Sequence, residues 1–229
     1  MVDSPLMLDA ERDYGDPTWW DRSYARSEGT TFDWLQTWES LRESLTQVID
    51  REARILMLGC GNSLLSEQMY EAGFCSICNI DISPTVIGSM QERNSHRQMS
   101  WLVMDCTNLS FPPESFDVTL DKGTLDCFLC GQGGYTNAAA MTREAFRVLK
   151  PGGKHISISF GRPEIREMHF KARGLEWAVS NLALAKAALT AGRSAAGFHF
   201  LYVCAKPAAR TVDRQRALAS APSDPDVLD

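Results

Sequence analysis

No apolar run in this 229-residue chain approaches the roughly 20 residues needed to cross a bilayer, so no membrane partner is expected. The opening MVDSPLMLDAERDYGD is acidic and lacks an apolar core or an arginine-rich pattern, so neither a secretory signal nor a transit peptide is read there. Excess basic charge is missing too. With a formal net charge of −6, no broad surface can neutralise a phosphate backbone, and nucleic acid is not expected as a partner. The four histidines, His96, His155, His169 and His199, are scattered without metal spacing, although His199 is a candidate for lining a cleft. Cys75-x-x-Cys78 and Cys127-x-x-Cys130 do have zinc-ligand spacing. They precede one strand and follow another, which puts them on opposite sheet edges, so no metal is expected. The expected compartment is the cytoplasm, where the seven cysteines read as free and mostly buried thiols.

What is present is ordinary globular composition, 44% hydrophobic and 23% charged, enough for one substantial core. From Ile55 to Ala205 short apolar runs alternate with helical patterns, the signature of a βαβ-built α/β fold with a mostly parallel sheet. Strands are expected at 55–58, 76–80, 100–104, 116–120, 154–160, 175–182 and 197–205, seven in all. Ser83 with Pro84 marks a capped helix start, and Lys150-Pro151-Gly152-Gly153 marks a turn. Residues 1–50 lack this alternation but hold four of the six tryptophans, and are expected to form a helical lid. The core domain spans 51–206. The polar, Ala/Asp/Ser/Pro-rich stretch 207–229 is expected to be a disordered tail.

In an open α/β sheet, ligands bind beyond the carboxyl ends of the strands. After the first strand stand Gly59 and Gly61, which permit a tight turn and close ligand approach but also read as a plain strand-to-helix turn. A dinucleotide fingerprint needs another glycine at position 64, where this chain has Leu64. A nucleoside without a pyrophosphate therefore suits the loop better than NAD. Asp81 ends the second strand, where a carboxylate can accept from both ribose hydroxyls. Asp105 and Cys106 end the third, where a carboxylate and the next backbone N–H can read an adenine edge. Either aspartate alone is also a common loop residue, and the three strand ends gain weight jointly. The fourth strand leads into Asp121-Lys122-Gly123-Thr124-Leu125-Asp126, where Lys122 can meet a ligand carboxylate or simply be a solvated loop lysine. No Asn/Asp-Pro-Pro-Tyr occurs here, which counts against base or glutamine amides as substrates.

The segments LMLGCGNSLLSEQMYEAGF, NIDISPTVI, LVMDCTNLSFPPESFDV and LDKGTLD resemble the eukaryotic methyltransferase-like family that includes the elongation factor 1-alpha lysine methyltransferases. The likeness runs from about Trp19 to Ala205, with GCGNS and DKGTLD its most specific elements. It implies a Rossmann-like class I methyltransferase fold, a seven-stranded sheet with helices on both faces, and S-adenosylmethionine as cofactor. It also implies cofactor contacts from Trp20, Tyr24, Trp34, Gly59, Gly61, Asp81, Ile82, Asp105, Cys106 and Lys122. A sulfonium is attracted to aromatic faces, although core packing is the alternative for each tryptophan. The Ala-rich stretch 181–196 departs from the family pattern, in a region that usually reads substrate.

The expected reaction is methylation of a lysine on a protein such as elongation factor 1-alpha. A small-molecule methyltransferase and a silent cofactor-binding module are the rivals. Asp121 and Asp126 are candidates for accepting the lysine proton, or for capping a turn, so no catalytic base is assigned. Oligomeric state is not legible.

Overall fold

The computed structural model describes residues 14–27, 29–131, 133–172, 174–185 and 197–208. Seven strands form one sheet: β1 (Ile55–Leu58), β2 (Ile77–Asp81), β3 (Ser100–Val103), β4 (Phe116–Lys122), β5 (Leu149–Ser159), β6 (Ala178–Ala185) and β7 (Phe198–Ala205). Their order is β3-β2-β1-β4-β5-β7-β6. The first five run parallel, and β7 is antiparallel to both β5 and β6. The chain steps outward from β1 to β3, then returns to β4 on the other side of β1. That reversal opens a crevice beyond the carboxyl ends of β1 and β4.

β1 shows why the sheet is covered on both faces. Its four residues are all buried: Leu56 and Leu58 join one core cluster, Ile55 and Met57 the other. Helix α6 (Gly134–Val148) presents Ala138, Met141, Ala145 and Val148 to the first cluster, an i, i+3, i+7 stripe. Helix α3 (Leu65–Glu71) presents Leu65 and Met69 to the second. Helix α4 (Pro84–Arg93) starts as its sequence suggests, with the Ser83 side chain accepting from Val86 N–H and Pro84 in the first turn.

The amino-terminal region divides in two. Helix α1 (Pro17–Arg26) buries none of its residues fully and lies against α4. Helix α2 (Trp38–Val48) is instead a core element, with Leu41 and Leu45 fully buried in the second cluster. A lid over all of 1–50 is thus too broad for α2, and residues 1–13 lie outside the described residues.

Three other expectations shift. The 150–153 turn is there, with Gly152 left-handed, but it bulges from β5, so that Phe116 pairs with Leu149 and Val118 with Lys154. Strand β6 begins at Ala178 because Trp177 turns inward, its indole donating to Phe170 O at 2.7 Å. Lys206 N and Pro207 O still pair with Gly153 O and Gly152 N, and the expected tail beyond 208 lies outside the described residues.

Tyr202 is fully buried on β7 and donates its hydroxyl to Gly161 O at 2.6 Å. Tyr202→Phe leaves that buried carbonyl without its donor, at an expected cost of about 1–3 kcal/mol. Urea unfolding reads this as a lower midpoint with an unchanged slope; an unchanged midpoint would show that the bond contributes nothing.

Candidate functional site

A cavity of about 410 Å³ opens at the crevice, within the usual range for a small-ligand site. Its floor is the loop after β1. Gly59 and Gly61 both have positive φ, +64° and +52°, and both sit where a side chain would collide. A Cβ on Gly59 would lie 2.3 Å from Thr124 Oγ1, whose hydroxyl donates to Leu58 O; one on Gly61 would lie 2.8 Å from the Tyr24 hydroxyl.

Asp81, at the end of β2, is buried and accepts from Gly61 N through one oxygen and from Ser83 N through the other. Burial pushes its carboxyl above the usual range, against the pull of those backbone N–H groups. Ile82 follows it in the wall. Asp105 accepts from Thr107 N and Oγ1, and the buried Cys106 lies beside it, both in the wall after β3.

The roof is aromatic. Trp20 stacks on Tyr24 with ring centres 5.7 Å apart, and Trp34 meets Trp20 edge-on at 6.2 Å; all three line the cavity. Helix α1 is fixed there by Asp21, whose carboxylate accepts from Ser83 Oγ and Thr85 N. The loop before α2 is laced to the glycine loop: Asn62 Nδ2 donates to Thr30 O at 2.7 Å, and Ser63 Oγ donates to Asp33.

The ten residues singled out in the sequence for a cofactor therefore line a single cavity. Lys122 does so with its ammonium already engaged, 3.1 Å from Asp33 and donating to Trp34 O at 2.9 Å. Burial lowers its pKa, opposed by Asp33. Asp33 escaped the sequence reading, although it sits beside Trp34 in the FDW element. So did the place of Cys127 and Cys130, which helix α5 (Thr124–Cys130) brings to the wall beside Asp126. His199 does not appear in the wall; it is buried near Gln36, whose Nε2 lies 3.2 Å from its Nδ1.

The two proposed proton acceptors separate. Asp126 lines the cavity and accepts from Ser159 Oγ and Phe160 N, with Arg166 Nη2 2.8 Å away. Asp121 points away from the wall, accepting from Leu125 N at 3.1 Å and so capping α5 from beneath. Its other oxygen lies 3.6 Å from His155 Nε2. Burial pushes Asp121 up to about 7 and His155 down to about 4.

Cys75 and Cys78 flank the amino end of β2, whereas Cys127 and Cys130 belong to this carboxyl-edge site. Burial raises the thiol pKa of Cys60, Cys106, Cys127 and Cys130. These thiols stay protonated at neutral pH.

Residues 56–157 match the family model described as "Methyltransferase domain". The Mus musculus protein named EEF1A lysine methyltransferase 4 is 33% identical over 239 aligned residues, covering 98% of this chain and 89% of that protein. The chain belongs to that protein's family, a family of methyltransferases. The Mus musculus eEF1A lysine and N-terminal methyltransferase is 39% identical over 176 residues, 74% of this chain. This methyltransferase-family chain spans only about a quarter of that longer relative, 25% of its length. A solved SAM-dependent methyltransferase from Methanosarcina mazei superimposes with a TM-score of 0.57 at 17% identity, covering 72% of this chain and 98% of its own. That likeness concerns the fold alone.

S-adenosylmethionine is the cofactor of this family, and the residues present fit it. A Cβ would fill the cradle at Gly61, acidic acceptors stand at the ends of β2 and β3, and an aromatic roof faces a site that would hold a sulfonium.

Two outcomes are expected. Gly61→Ala combines a strained φ with a clash on Tyr24, so S-adenosylmethionine affinity measured by calorimetry should fall on the order of tenfold; unchanged affinity would contradict the cradle. Asp121 should make stability depend on pH. The native carboxyl keeps a proton up to about pH 7, whereas the unfolded chain releases it near the ordinary carboxyl value of 3.8. Stability from this group is therefore greatest below about pH 4 and declines as pH rises to about 7. Asp121→Asn should flatten the thermal midpoint over that window; curves parallel to the wild type would sink the assignment.

Proposed function

We propose that this chain is an S-adenosylmethionine-dependent methyltransferase acting on a lysine side chain of a protein, with elongation factor 1-alpha the substrate. The observation that carries the reading is the near full-length likeness to a protein named EEF1A lysine methyltransferase 4, combined with a cavity built from the segments that carry that likeness. A cytoplasmic site of action goes with that substrate.

When bound, S-adenosylmethionine supplies a methyl group already activated on a sulfonium. The chain's residues have three tasks. The glycine loop, Asp81, Asp105 and the Cys106 N–H would hold the nucleoside. Trp20, Tyr24 and Trp34 would exclude water and face the cation. Lys122 is kept in the wall by Asp33, leaving one of its three ammonium hydrogens for a carboxylate.

A lysine nucleophile must be neutral, although its reference pKa is about 10.4. Entry into a water-poor site beside a positive sulfonium lowers that value. Asp126 is the carboxylate in the wall near the end of β5, and its negative charge is shared with Arg166. Its role is to orient the approaching amine and to hold the pocket rim, with water free to carry the proton.

The test uses radiolabelled S-adenosylmethionine with purified elongation factor 1-alpha and, separately, a eukaryotic cytosolic extract, beside an Asp81→Ala control. Label on the elongation factor that survives as methyl-lysine in mass spectrometry, and is lost in the control, is the expected result. Label confined to low-mass material would replace this reading with a small-molecule methyltransferase. Cofactor binding with no transfer to either fraction would leave a binding module.

A further inference from the structure

The rim beside the cavity carries an apolar strip that the methyl-transfer chemistry leaves unused. Phe160, Ile165, Met168 and Tyr135 are 47%, 57%, 61% and 69% exposed. Phe160 directly follows β5 and is itself part of the cavity wall. Helix α7 (Pro163–Phe170) follows directly, anchored by the buried Arg166, whose guanidinium carbon lies 5.6 Å from the Phe160 ring centre.

At 100° per residue, the buried side chains Arg166, His169 and Phe170 define the inner face of α7. Ile165 and Met168 flank His169 on one side, and Glu167 lies on the other, where it meets Asn181 of β6. Tyr135, in the first turn of α6, packs on His169 with ring centres 5.4 Å apart. The strip therefore lies on the α6 side of α7, and Phe160 joins it to the cavity wall.

Tyr135, Phe160 and Met168 are side chains of the types that interface cores favour, with the exposed Glu164 and Lys171 at their edge. Such cores are rich in Tyr, Phe and Met and poor in charge. Residues 134–142, GYTNAAAMT, carry no charged side chain in a chain that is 23% charged overall.

We propose that this strip is the docking surface for a folded protein substrate, which rests apolar side chains on Ile165, Met168 and Tyr135 while its lysine enters past Phe160. The inference rests on the methyltransferase reading above and adds to it the surface that the protein substrate meets. Two observations favour that occupant. The strip is continuous with the cavity mouth, where the bearer of the nucleophile must sit. Ile165, Met168 and Tyr135 also lie outside the cavity wall, where a small molecule held in the cavity does not touch them. Binding energy gathered at such a distance would order the lysine at the methyl group.

Ile165→Glu/Met168→Glu places two charges on the strip and touches no residue of the cavity wall. Steady-state methylation of purified elongation factor 1-alpha should show KM raised about tenfold or more with kcat nearly kept, the loss typical of interface anchors. S-adenosylmethionine affinity by calorimetry should be unchanged. Ile165→Leu/Met168→Leu should restore the wild-type KM, and Ile165→Ser/Met168→Ser repeats the test should the glutamates lower the thermal midpoint. Wild-type transfer with an unaltered KM in both polar pairs overturns the docking surface alone. No transfer by the wild type, despite cofactor binding, counts against the lysine-methyltransferase reading and overturns the docking surface with it.

Discussion

The Asp81 carboxylate sits below the protein surface at the end of β2 and holds two backbone N–H groups from different loops, Gly61 and Ser83. Through Gly61 it fixes the glycine loop that forms the cavity floor. Through Ser83 it sets the first turn of α4, and the Ser83 hydroxyl in turn donates to Asp21 of α1. Floor, wall and aromatic roof thus share one point of attachment. An ionised group in that position is costly unless its lone pairs are satisfied, which explains why each oxygen has a backbone partner.

In and behind the wall stand three buried carboxyl groups, Asp81 at the end of β2, Asp121 near the end of β4 and Asp126 on the helix after it. Burial raises the pKa of all three. Of these, Asp126 has a guanidinium at 2.8 Å, while Asp121 faces a histidine that burial keeps neutral. Lys122, the nearby cation, is drawn toward Asp33 instead. A cavity whose wall holds the carboxyl groups of Asp81, Asp105 and Asp126 and whose roof is π-electron-rich favours a cationic guest. Both the methyl donor and the lysine that approaches it bring positive charge, so the electrostatics of the wall serve either partner.

Much of this was legible in the sequence, because the signals were local. Strands β1 and β2 announce themselves as short apolar runs bounded by Gly59 and Asp81, and Ser83-Pro84 marks the start of α4 by its own chemistry. The glycines and acids at successive strand ends could be placed on one sheet edge before any coordinates. What stayed hidden depends on distant partners. Helix α5 is seven residues long and is capped from beneath by Asp121, an arrangement that periodicity cannot display. The pairing of Lys122 with Asp33 spans 89 residues of sequence. Helix α2 looked like part of a lid because its tryptophan-rich neighbours did; only the packing of Leu41 and Leu45 on the sheet separates it. Likewise, the strip on α7 is invisible as a surface until the fold shows which side of that helix is covered.

The most direct test of the central claim, that this cavity is an S-adenosylmethionine site roofed by tryptophan, is a fluorescence titration of the purified protein with S-adenosylmethionine. Trp20 and Trp34 line the cavity, so binding should change the tryptophan emission saturably, with one site per chain. Emission that stays flat, or drifts without saturating while circular dichroism shows a folded chain, would contradict that claim.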